Sequence, residues 1–258
     1  METMKSFELA WSVVCHKIVN PETDIELEGL LDKEILEKFI EKIWQDVILV
    51  LWGDGTMLSA IRENYEKNLP FMWFNFGTKW FLLNDRDCFH KRDFSPRDYP
   101  LLEVQNNWEY IWVAFNDLNI YPTSGNLLQL ETLVHDSVRM WFRWDGIIIS
   151  TPAWSTGHSK WYWAPTLEHS SKNLIITSKW NTIPDSPKTV RSSSTIAIKN
   201  TWRLFDIWVN LDGQVALKTS IWEEISLLVH ESHHKVQLLI ASDYIENWDN
   251  KVLQQLAS

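Results

Sequence analysis

Residues 46–58, DVILVLWGDGTML, decide the fold class because they predict a buried strand, a tight turn and the start of a helix. The run from 46 to 51 is almost uniformly apolar rather than alternating, which is typical of a strand in a parallel sheet. TMLSAIRENYEKN then predicts a helix. After Trp52, the connection offers a tight backbone and polar groups through Gly53, Asp54, Gly55 and Thr56, the last of which begins the helical run. A glycine turn before a helix N-terminus presents backbone N–H groups to an anion.

The aspartate in this turn is unusual for a simple phosphate site. A carboxylate repels phosphate, so Asp54 would be out of place if the turn only held an anion. Its presence fits a group that accepts the proton of a hydroxyl nucleophile, or that helps to hold a metal–phosphate complex. A plain Asp-Gly turn is the alternative, because that dipeptide is common in turns.

The segments on either side extend the alternation of strand and helix. SVVCHKIV and PFMWFNF predict strands, and DKEILEKFIEKI (32–43) predicts an amphipathic helix. Such an order indicates an α/β sheet whose ligands bind at the carboxyl ends of the strands. HKRDFSPRDYP (90–100) is charged and rich in turn residues, and we interpret it as the boundary between two domains.

Beyond this boundary, short β-type runs follow one another at close spacing. This pattern predicts a β-rich, sandwich-like domain. We therefore expect an α/β domain over 1–99, a β-rich domain over 100–240, and a helical segment over 241–258 that packs back on the first domain.

Charge and cysteine content narrow the functional classes. The 258-residue chain has a formal net charge of −10, which argues against a nucleic-acid partner. Its two cysteines lie far apart, so a disulfide framework is not expected. The start, METMKSFELAWSVV, lacks the order of a signal peptide, and no apolar run is long enough to cross a bilayer. These features predict a cytoplasmic protein without a membrane partner.

Two later stretches carry groups that suit a ligand site. FNDLNI (115–120) places Asn116 and Asp117 inside an apolar run, which marks a bulge or a ligand contact. RWDGIIISTPAWSTGHS (143–159) leads from a strand into a loop of hydroxyl groups and one imidazole, which can bind a sugar or a base edge. Two further stretches are NFGTKWFLLND (75–85) and LDGQ (211–214).

Two other clusters have more ordinary interpretations. HESHH (230–234) offers three histidines, but at the end of a strand-like run they do not share a helical face, so a solvated edge is favoured over zinc. Lys188 and Arg191, in PDSPKTVRSSS, are either phosphate partners or part of a solvated loop.

Taken in order, the motifs from GDGTML to LDGQ resemble those of the NAD kinase family over roughly residues 46–215. Similar turns also occur in lipid kinases and phosphofructokinases, so the order and spacing carry the resemblance. It implies an α/β nucleotide-binding domain followed by the β-rich domain, with the active site between them. It also implies transfer of the γ-phosphoryl of ATP to the 2′-hydroxyl of the adenosine ribose of NAD, giving NADP.

The resemblance also implies partners. Mg²⁺ would arrive with ATP rather than occupy a metal site of the protein, and the chain would form a homo-oligomer, a dimer or a tetramer. Two rivals remain open at this point. A diacylglycerol- or sphingosine-type lipid kinase shares the GDGT turn, and a catalytically dead NAD-binding homologue is the other alternative.

Site residues follow from the resemblance position by position. Asp54 corresponds to the general base, with NAD or phosphate contacts from Gly53, Gly55 and Thr56 in the same turn. Asn116 and Asp117 correspond to adenosine contacts, and Arg143 and Asp145 lie near the NAD site and reach toward a neighbouring subunit. The remaining nucleotide contacts are Thr156, Gly157, His158, Ser159, Lys160, Trp161 and Gln214. Gly157 and His158 replace an alanine and a tyrosine of the family pattern.

Tryptophan and glycine usage departs from the family in one consistent way. The chain has 17 tryptophans and 8 glycines, whereas about twice as many glycines are usual at this length. The family pattern has glycine where this chain has Trp52, Trp73, Trp80, Trp144, Trp154 and Trp163, and we expected glycine also at Trp161, Trp202 and Trp208.

One hypothesis explains both departures: UGA codons that the source organism reads as glycine are translated here as tryptophan. It predicts that these indoles stand where the backbone needs positive φ or close approach to a ligand. It also predicts a poor enzyme from the sequence as written.

Overall fold

The computed structural model of the chain describes residues 4–9, 12–17, 47–51, 53–74, 94–123, 128–135, 138–168, 170–179, 187–202, 206–219 and 225–242. It divides into two compact units, Met1–Asp98 with Val236–Ser258 and Tyr99–Lys235. The domain limits expected from the sequence stay predictions. The expected helix over 32–43 and the C-terminal residues from 243 onward lie outside the described residues.

The first unit contains the strand, turn and helix from which the sequence argument began. Its strands are β1 (Met4–Leu9), β2 (Ser12–Lys17), β3 (Val47–Leu51) and β4 (Phe71–Phe74). β1 and β2 form an antiparallel pair, whereas β2–β3 and β3–β4 are parallel. Val47, Ile48 and Val50 are fully buried, as a strand covered on both faces requires. The predicted buried parallel strand is therefore confirmed.

The helix α1 (Asp54–Asn64) begins directly after Gly53, and a 3₁₀ turn, Tyr65–Lys67, follows it. Met57, Ala60 and Ile61 lie on its buried side. Spacing of three and four residues places these side chains on one helical face.

The second unit is made of antiparallel strands in two sheets. One sheet has the order β12-β11-β10-β7-β14-β15. Its strands are β7 (Asp117–Pro122), β10 (Ile147–Ser150), β11 (Asn173–Ser178), β12 (Lys188–Arg191), β14 (Ile207–Leu211) and β15 (Gln214–Thr219). The other contains β6 (Glu109–Ala114), β8 (Leu128–Val134), β9 (Val138–Trp144) and β13 (Ile196–Trp202). It also contains the parts of β5 (Phe94–Asn106) and β16 (Ser226–Ala241) that lie within residues 99–235.

One hydrophobic core joins the two sheets of this unit. Ile120 and Ile147 enter it from the six-stranded sheet, and Leu130 and Ile198 enter it from the other sheet. Side chains of two sheets that share one core are the arrangement of a sandwich. The α/β class of the N-terminal part and the β-rich, sandwich-like class of the C-terminal part are confirmed.

Two local interpretations of composition were wrong. Residues 94–100 are not rich in turns but form the start of β5, in which polar residues alternate with more buried ones and Tyr99 is fully buried. The domain boundary expected within 90–100 stays a prediction. HESHH lies in the middle of β16 rather than at the end of a strand, and Ser232 in it is buried. Charged and polar residues on the outward positions of long strands gave both segments the composition of loops.

The turn between β5 and β6 is a feature that the sequence argument missed. Asn107 and Trp108 form a two-residue connection with φ of 51° and 69°. Both central residues of a type I′ hairpin turn have positive φ, which is why Asn-Gly is favoured there. Trp108 is 84% exposed, so its indole has little packing to offset this conformation. It stands at the glycine position of an Asn-Gly turn.

We expect Trp108→Gly to stabilise the protein by about 1 kcal/mol, because the left-handed conformation costs an L-residue about 1–2 kcal/mol. Urea unfolding measures the change. Trp141→Gly is the matched control, since Trp141 is half exposed in β9 and does not have positive φ. Glycine there is expected to destabilise by about 1 kcal/mol. Destabilisation by both substitutions would contradict the assignment of Trp108 to a glycine position.

Candidate active site

In the first unit, the site is built on the turn that leads into α1. The Gly53 carbonyl accepts hydrogen bonds from the N–H groups of Thr56 (3.1 Å) and Met57 (3.3 Å), which starts the helix at Asp54. Burial raises the pKa of the Asp54 carboxyl from 3.8 to about 7. Gly55 is exposed, and no atom lies within 4 Å of the place that a Cβ would occupy. A carboxyl with a pKa near neutrality beside open backbone suits proton transfer.

In the second unit, Asn116 and Asp117 lie where β6 passes into β7. They are only 6% and 5% exposed. Burial, and to a lesser extent the nearby Asp212 carboxylate, raise the pKa of the Asp117 carboxyl to about 7, although the Lys179 ammonium acts in the opposite direction. A buried carboxyl and a buried amide at the end of a strand are costly unless they serve a ligand or a network.

His158 faces this pair from the following loop. Its Nδ1 lies 3.9 Å from Asp117 Oδ2 and 3.5 Å from Asn119 Nδ2. Burial and the nearby Lys179 lower the pKa of His158, so the imidazole is neutral near pH 7. Its contact with Asp117 is therefore a polar contact rather than an ion pair. The ring lies 5.8 Å from that of Tyr162.

The loop that carries His158 is folded by its own serines. It contains two 3₁₀ turns, Pro152–Trp154 and His158–Tyr162. The Ser155 hydroxyl accepts a hydrogen bond from the N–H of Leu167 at 2.9 Å, and the Ser159 hydroxyl lies 3.5 Å from the Ser155 carbonyl. Both serines are fully buried. Ser159, expected as a nucleotide contact, thus lies inside the loop.

The other expected site residues differ in their surroundings. Thr156 and Gly157 are half-buried, whereas Lys160, Trp161, Asp145 and Gln214 are exposed. Arg143 belongs to β9. Gly146, which follows Asp145, has φ of 146°, and a Cβ there would collide with the Ile120 carbonyl oxygen. Only glycine fits this position, so the Asp-Gly pair fixes the start of β10.

Two residues near Asp117 were missed by the sequence argument. Lys179, one residue beyond β11, lies close enough to Asp117 and Asp145 for both carboxylates to raise its pKa, although burial lowers it overall. Its Nζ is also 4.8 Å from the centre of the Tyr121 ring. Asp212 sits in LDGQ, where only Gln214 had been singled out. An Asp-Gly pair between two short strands was the available signal.

The expectation about the tryptophans holds at one of the named positions. Trp163 has φ of 60° and is 80% exposed. No positive φ occurs at the other named tryptophans whose backbone the structure describes, so the expectation of positive φ is wrong for Trp73, Trp144, Trp154, Trp161, Trp202 and Trp208. Several of them lie in strands, where extended backbone accepts any residue. Trp52 and Trp80 lie outside the described residues.

Trp154 affects the loop that carries His158 in another way. Its indole covers Gly157 so closely that a Cβ at residue 157 would overlap with the ring. Trp208, by contrast, packs without strain, 5.9 Å from the Tyr121 ring and 4.9 Å beneath the Lys218 ammonium.

Neither the histidines of HESHH nor Lys188 and Arg191 form a ligand site in the part of the chain that the structure describes. Among the described residues, no three histidine, cysteine or carboxylate side chains are grouped to hold a metal ion. His230 Nε2 lies 3.6 Å from Glu103 Oε1, and His233 is exposed. Lys188 and Arg191 are exposed on β12. Within the described parts of the chain, no helix has the length and apolarity needed to span a membrane.

The raised pKa of Asp117 has a consequence for stability. The folded protein keeps this proton up to about pH 7, whereas the unfolded chain releases it near pH 3.8. The contribution of Asp117 to stability therefore falls between about pH 4 and pH 7 and is constant above pH 7. We expect Asp117→Asn to stabilise the protein by about 1–3 kcal/mol more at pH 8 than at pH 4.5. Urea unfolding at the two pH values tests this, and an equal effect at both would contradict it.

Comparisons with known proteins agree with these motifs. No protein-family model matches the chain. Curated NAD kinases of Salmonella dublin and Pectobacterium atrosepticum are 28% and 27% identical to it over 214 residues, which are 77% of this chain and 72% of each relative. These relatives give no support to a lipid kinase or to a dead homologue.

Solved structures show the same fold. Yeast NADH kinase complexed with NADH superposes with a TM-score of 0.69 at 18% identity, over 83% of this chain and 68% of that one. The NAD kinase of Archaeoglobus fulgidus in complex with ATP gives a TM-score of 0.66 at 17% identity, over 93% and 97%. The chain is therefore similar to NAD kinases in sequence and to NAD and NADH kinases in fold.

Proposed function

We propose that this protein is an NAD kinase, which transfers the γ-phosphoryl of ATP to the 2′-hydroxyl of the adenosine ribose of NAD. The proposal is supported by the similarity to curated NAD kinases over 77% of the chain. The observation that carries it is the Asp54 carboxyl, half-buried at a glycine turn with a pKa of about 7.

In the proposed reaction, Asp54 is the general base. Its carboxylate takes the proton of the 2′-hydroxyl as the oxygen attacks the γ-phosphorus, and the bond from that phosphorus to the oxygen of ADP breaks. The products are NADP, ADP and a protonated Asp54, which returns its proton to water. General-base assistance of this kind contributes about 10²–10⁴-fold to the rate.

The turn around Asp54 also suits the phosphates. The first backbone N–H groups of α1 and the helix dipole favour negative charge at this end. Mg²⁺ keeps several water ligands and is bound largely through substrate phosphates, so an ion that arrives with ATP needs no dedicated site in the protein. Asp54 is therefore kept as the base rather than as a metal ligand. When bound, the ion would neutralise charge on the transferred phosphoryl group.

The second unit would bind NAD. Asn116 and Asp117 are assigned to the adenosine, since an amide and a carboxyl can bind both base edges and ribose hydroxyls. His158 offers a neutral ring in place of the tyrosine of the family pattern, and its half-buried position allows stacking. The remaining nucleotide contacts stay proposals from the resemblance: Gly53, Gly55, Thr56, Arg143, Asp145, Thr156, Gly157, Ser159, Lys160, Trp161 and Gln214.

We also propose a cytoplasmic homo-oligomer. The assignment of Arg143 and Asp145 to a neighbouring subunit's site supports the oligomer, and light scattering of the purified protein tests it. A monomer at assay concentration would refute it.

The activity is tested in a purified variant in which glycine replaces Trp52, Trp154 and Trp163. The variant is supplied with Mg-ATP and either NAD or diacylglycerol. NADP is read with an NADP-specific dehydrogenase, and lipid phosphate is read by chromatography. We expect NADP alone. Phosphorylated lipid, or no product from either acceptor, would refute the proposal.

A further inference from the structure

We infer that Asp212 is a positioning residue that holds the segment 115–117 in the conformation that binds NAD. The inference rests on the proposed function, because it assigns Asn116 and Asp117 to the nucleotide. It concerns a residue that touches the backbone of the site rather than the substrate.

The Asp212 carboxylate accepts hydrogen bonds from three consecutive backbone N–H groups. Its Oδ2 accepts from Phe115 at 2.9 Å, and its Oδ1 accepts from Asn116 at 2.7 Å and from Asp117 at 3.3 Å. Its own N–H donates to the Asp117 carbonyl at 3.0 Å. Hydrogen bonds to an ionised acceptor are stronger than neutral ones, and Asp212 is buried.

The two remaining carbonyls of the segment are bound by Thr151. Its hydroxyl donates to the Phe115 carbonyl at 2.7 Å, and its N–H donates to the Asn116 carbonyl at 2.9 Å. All six backbone polar groups of residues 115–117 are therefore bonded to two residues. Phe115 and Asn116 lie between β6 and β7, so these bonds satisfy backbone groups that no strand of their own pairs, and Asp117 is the first residue of β7.

A two-residue turn delivers Asp212 to this position. Asp212 and Gly213 connect β14 to β15 with φ of 52° and 75°. Asparagine, like aspartate, tolerates the left-handed conformation, and Asn-Gly is favoured in this kind of turn. Asp212→Asn therefore keeps the turn but replaces one carboxylate oxygen with an NH₂ group, which cannot accept from a backbone N–H.

The segment held in this way presents the buried side chains of Asn116 and Asp117. The Asp117 carboxyl lies 3.9 Å from His158 Nδ1 and interacts electrostatically with Asp212 and Lys179. A segment that is fixed at every backbone group and presents a buried amide and a buried carboxyl is pre-organised for a ligand. Pre-organisation lowers the cost of ordering groups on binding.

The test compares Asp212→Asn with Asp206→Asn, an exposed aspartate of the same unit. Hydrogen exchange of the backbone amides of residues 115–117 measures the positioning, and steady-state kinetics measures KM for NAD and kcat separately. For Asp212→Asn we expect exchange about tenfold faster or more, KM for NAD about 10–100-fold higher, and kcat within about threefold. Asp206→Asn is expected to match the parent protein.

The pH profile distinguishes positioning from a general loss of stability. Without the Asp212 charge, the Asp117 carboxyl loses a neighbour that opposes its ionisation. The pH at which KM for NAD changes is therefore expected to move downward in Asp212→Asn, which a loosened fold alone would not cause.

Three outcomes would overturn the inference. They are unchanged exchange at 115–117, faster exchange with unchanged KM, and a fall in kcat without a change in KM. If the variant with glycine at positions 52, 154 and 163 makes no NADP, the proposed function fails. The amide exchange still decides in that case whether Asp212 holds the segment.

Discussion

Replacing Trp52, Trp154 and Trp163 with glycine is expected to raise the rate of NADP formation by about 100-fold or more. The resemblance places glycine at all three positions. Trp163 occupies a left-handed conformation, and the Trp154 indole covers Gly157 in the loop that the proposal assigns to the nucleotide. Misplacement of a site by about 1 Å can cost about 10²-fold. The measurement is kcat/KM for NAD at fixed Mg-ATP.

Trp208→Gly is the matched control, because Trp208 packs on Tyr121 in an ordinary strand. It is expected to leave kcat/KM unchanged or lower. Equal activity of the parent and the triple variant would show that these turns tolerate indoles. The decoding hypothesis has its own check: peptides over 46–62 from the source organism should carry glycine at 52. Tryptophan there would refute it.

The variant with glycine at positions 52, 154 and 163 is called the glycine-restored protein below. In it, Asp54→Asn is expected to lower kcat by about 10²–10⁴-fold while nucleotide binding is retained. The amide keeps the shape of the side chain but cannot accept the hydroxyl proton. Glu63→Gln, an exposed change in the same helix, is the control. Turnover that survives Asp54→Asn would remove Asp54 from the mechanism.

The same carboxyl predicts the pH dependence. Only ionised Asp54 can act as a base, and burial raises its pKa to about 7. We therefore expect kcat/KM to rise with pH and to reach half of its maximum near pH 7. A profile that is flat between pH 5.5 and 8.5 would contradict the assignment.

The parts of the fold that could be predicted are those with a strong local pattern. The uniform apolar run 46–51 and the glycine turn after it specify a buried parallel strand and a helix start, and both occur at β3 and α1. The sandwich followed from short runs with turns between them. In these runs, apolar and polar residues alternate with a period of two and turn residues separate one run from the next. Both features can be read from the sequence itself.

The errors come from segments whose composition and environment disagree. Residues 94–100 and HESHH contain charged and turn-forming residues, yet each lies in a long strand whose outward positions tolerate them. Trp108 hid an Asn-Gly type of turn because tryptophan favours strands. The structure of these segments depends on pairing between strands that are distant in sequence, and local propensity does not report on that pairing.

The site residues also form two groups, those that motifs predict and those that depend on strand pairing. Asp54, Asn116, Asp117 and His158 were singled out from motifs, and the structure brings Asp117 and His158 within 3.9 Å. Asp212 and Lys179 were missed because their importance depends on which strands are neighbours. β7 pairs with both β10 and β14, so groups nearly one hundred residues apart meet at Asp117.

The most direct test is to identify the product formed from NAD and Mg-ATP by the glycine-restored protein. Phosphorus NMR of the isolated dinucleotide locates the new group, and NAD that lacks the 2′-hydroxyl serves as the matched substrate control. We predict one new phosphomonoester, on the 2′-oxygen of the adenosine ribose, and no reaction of the control substrate. Phosphate on another hydroxyl, reaction of the control substrate, or unchanged NAD would contradict the proposed function.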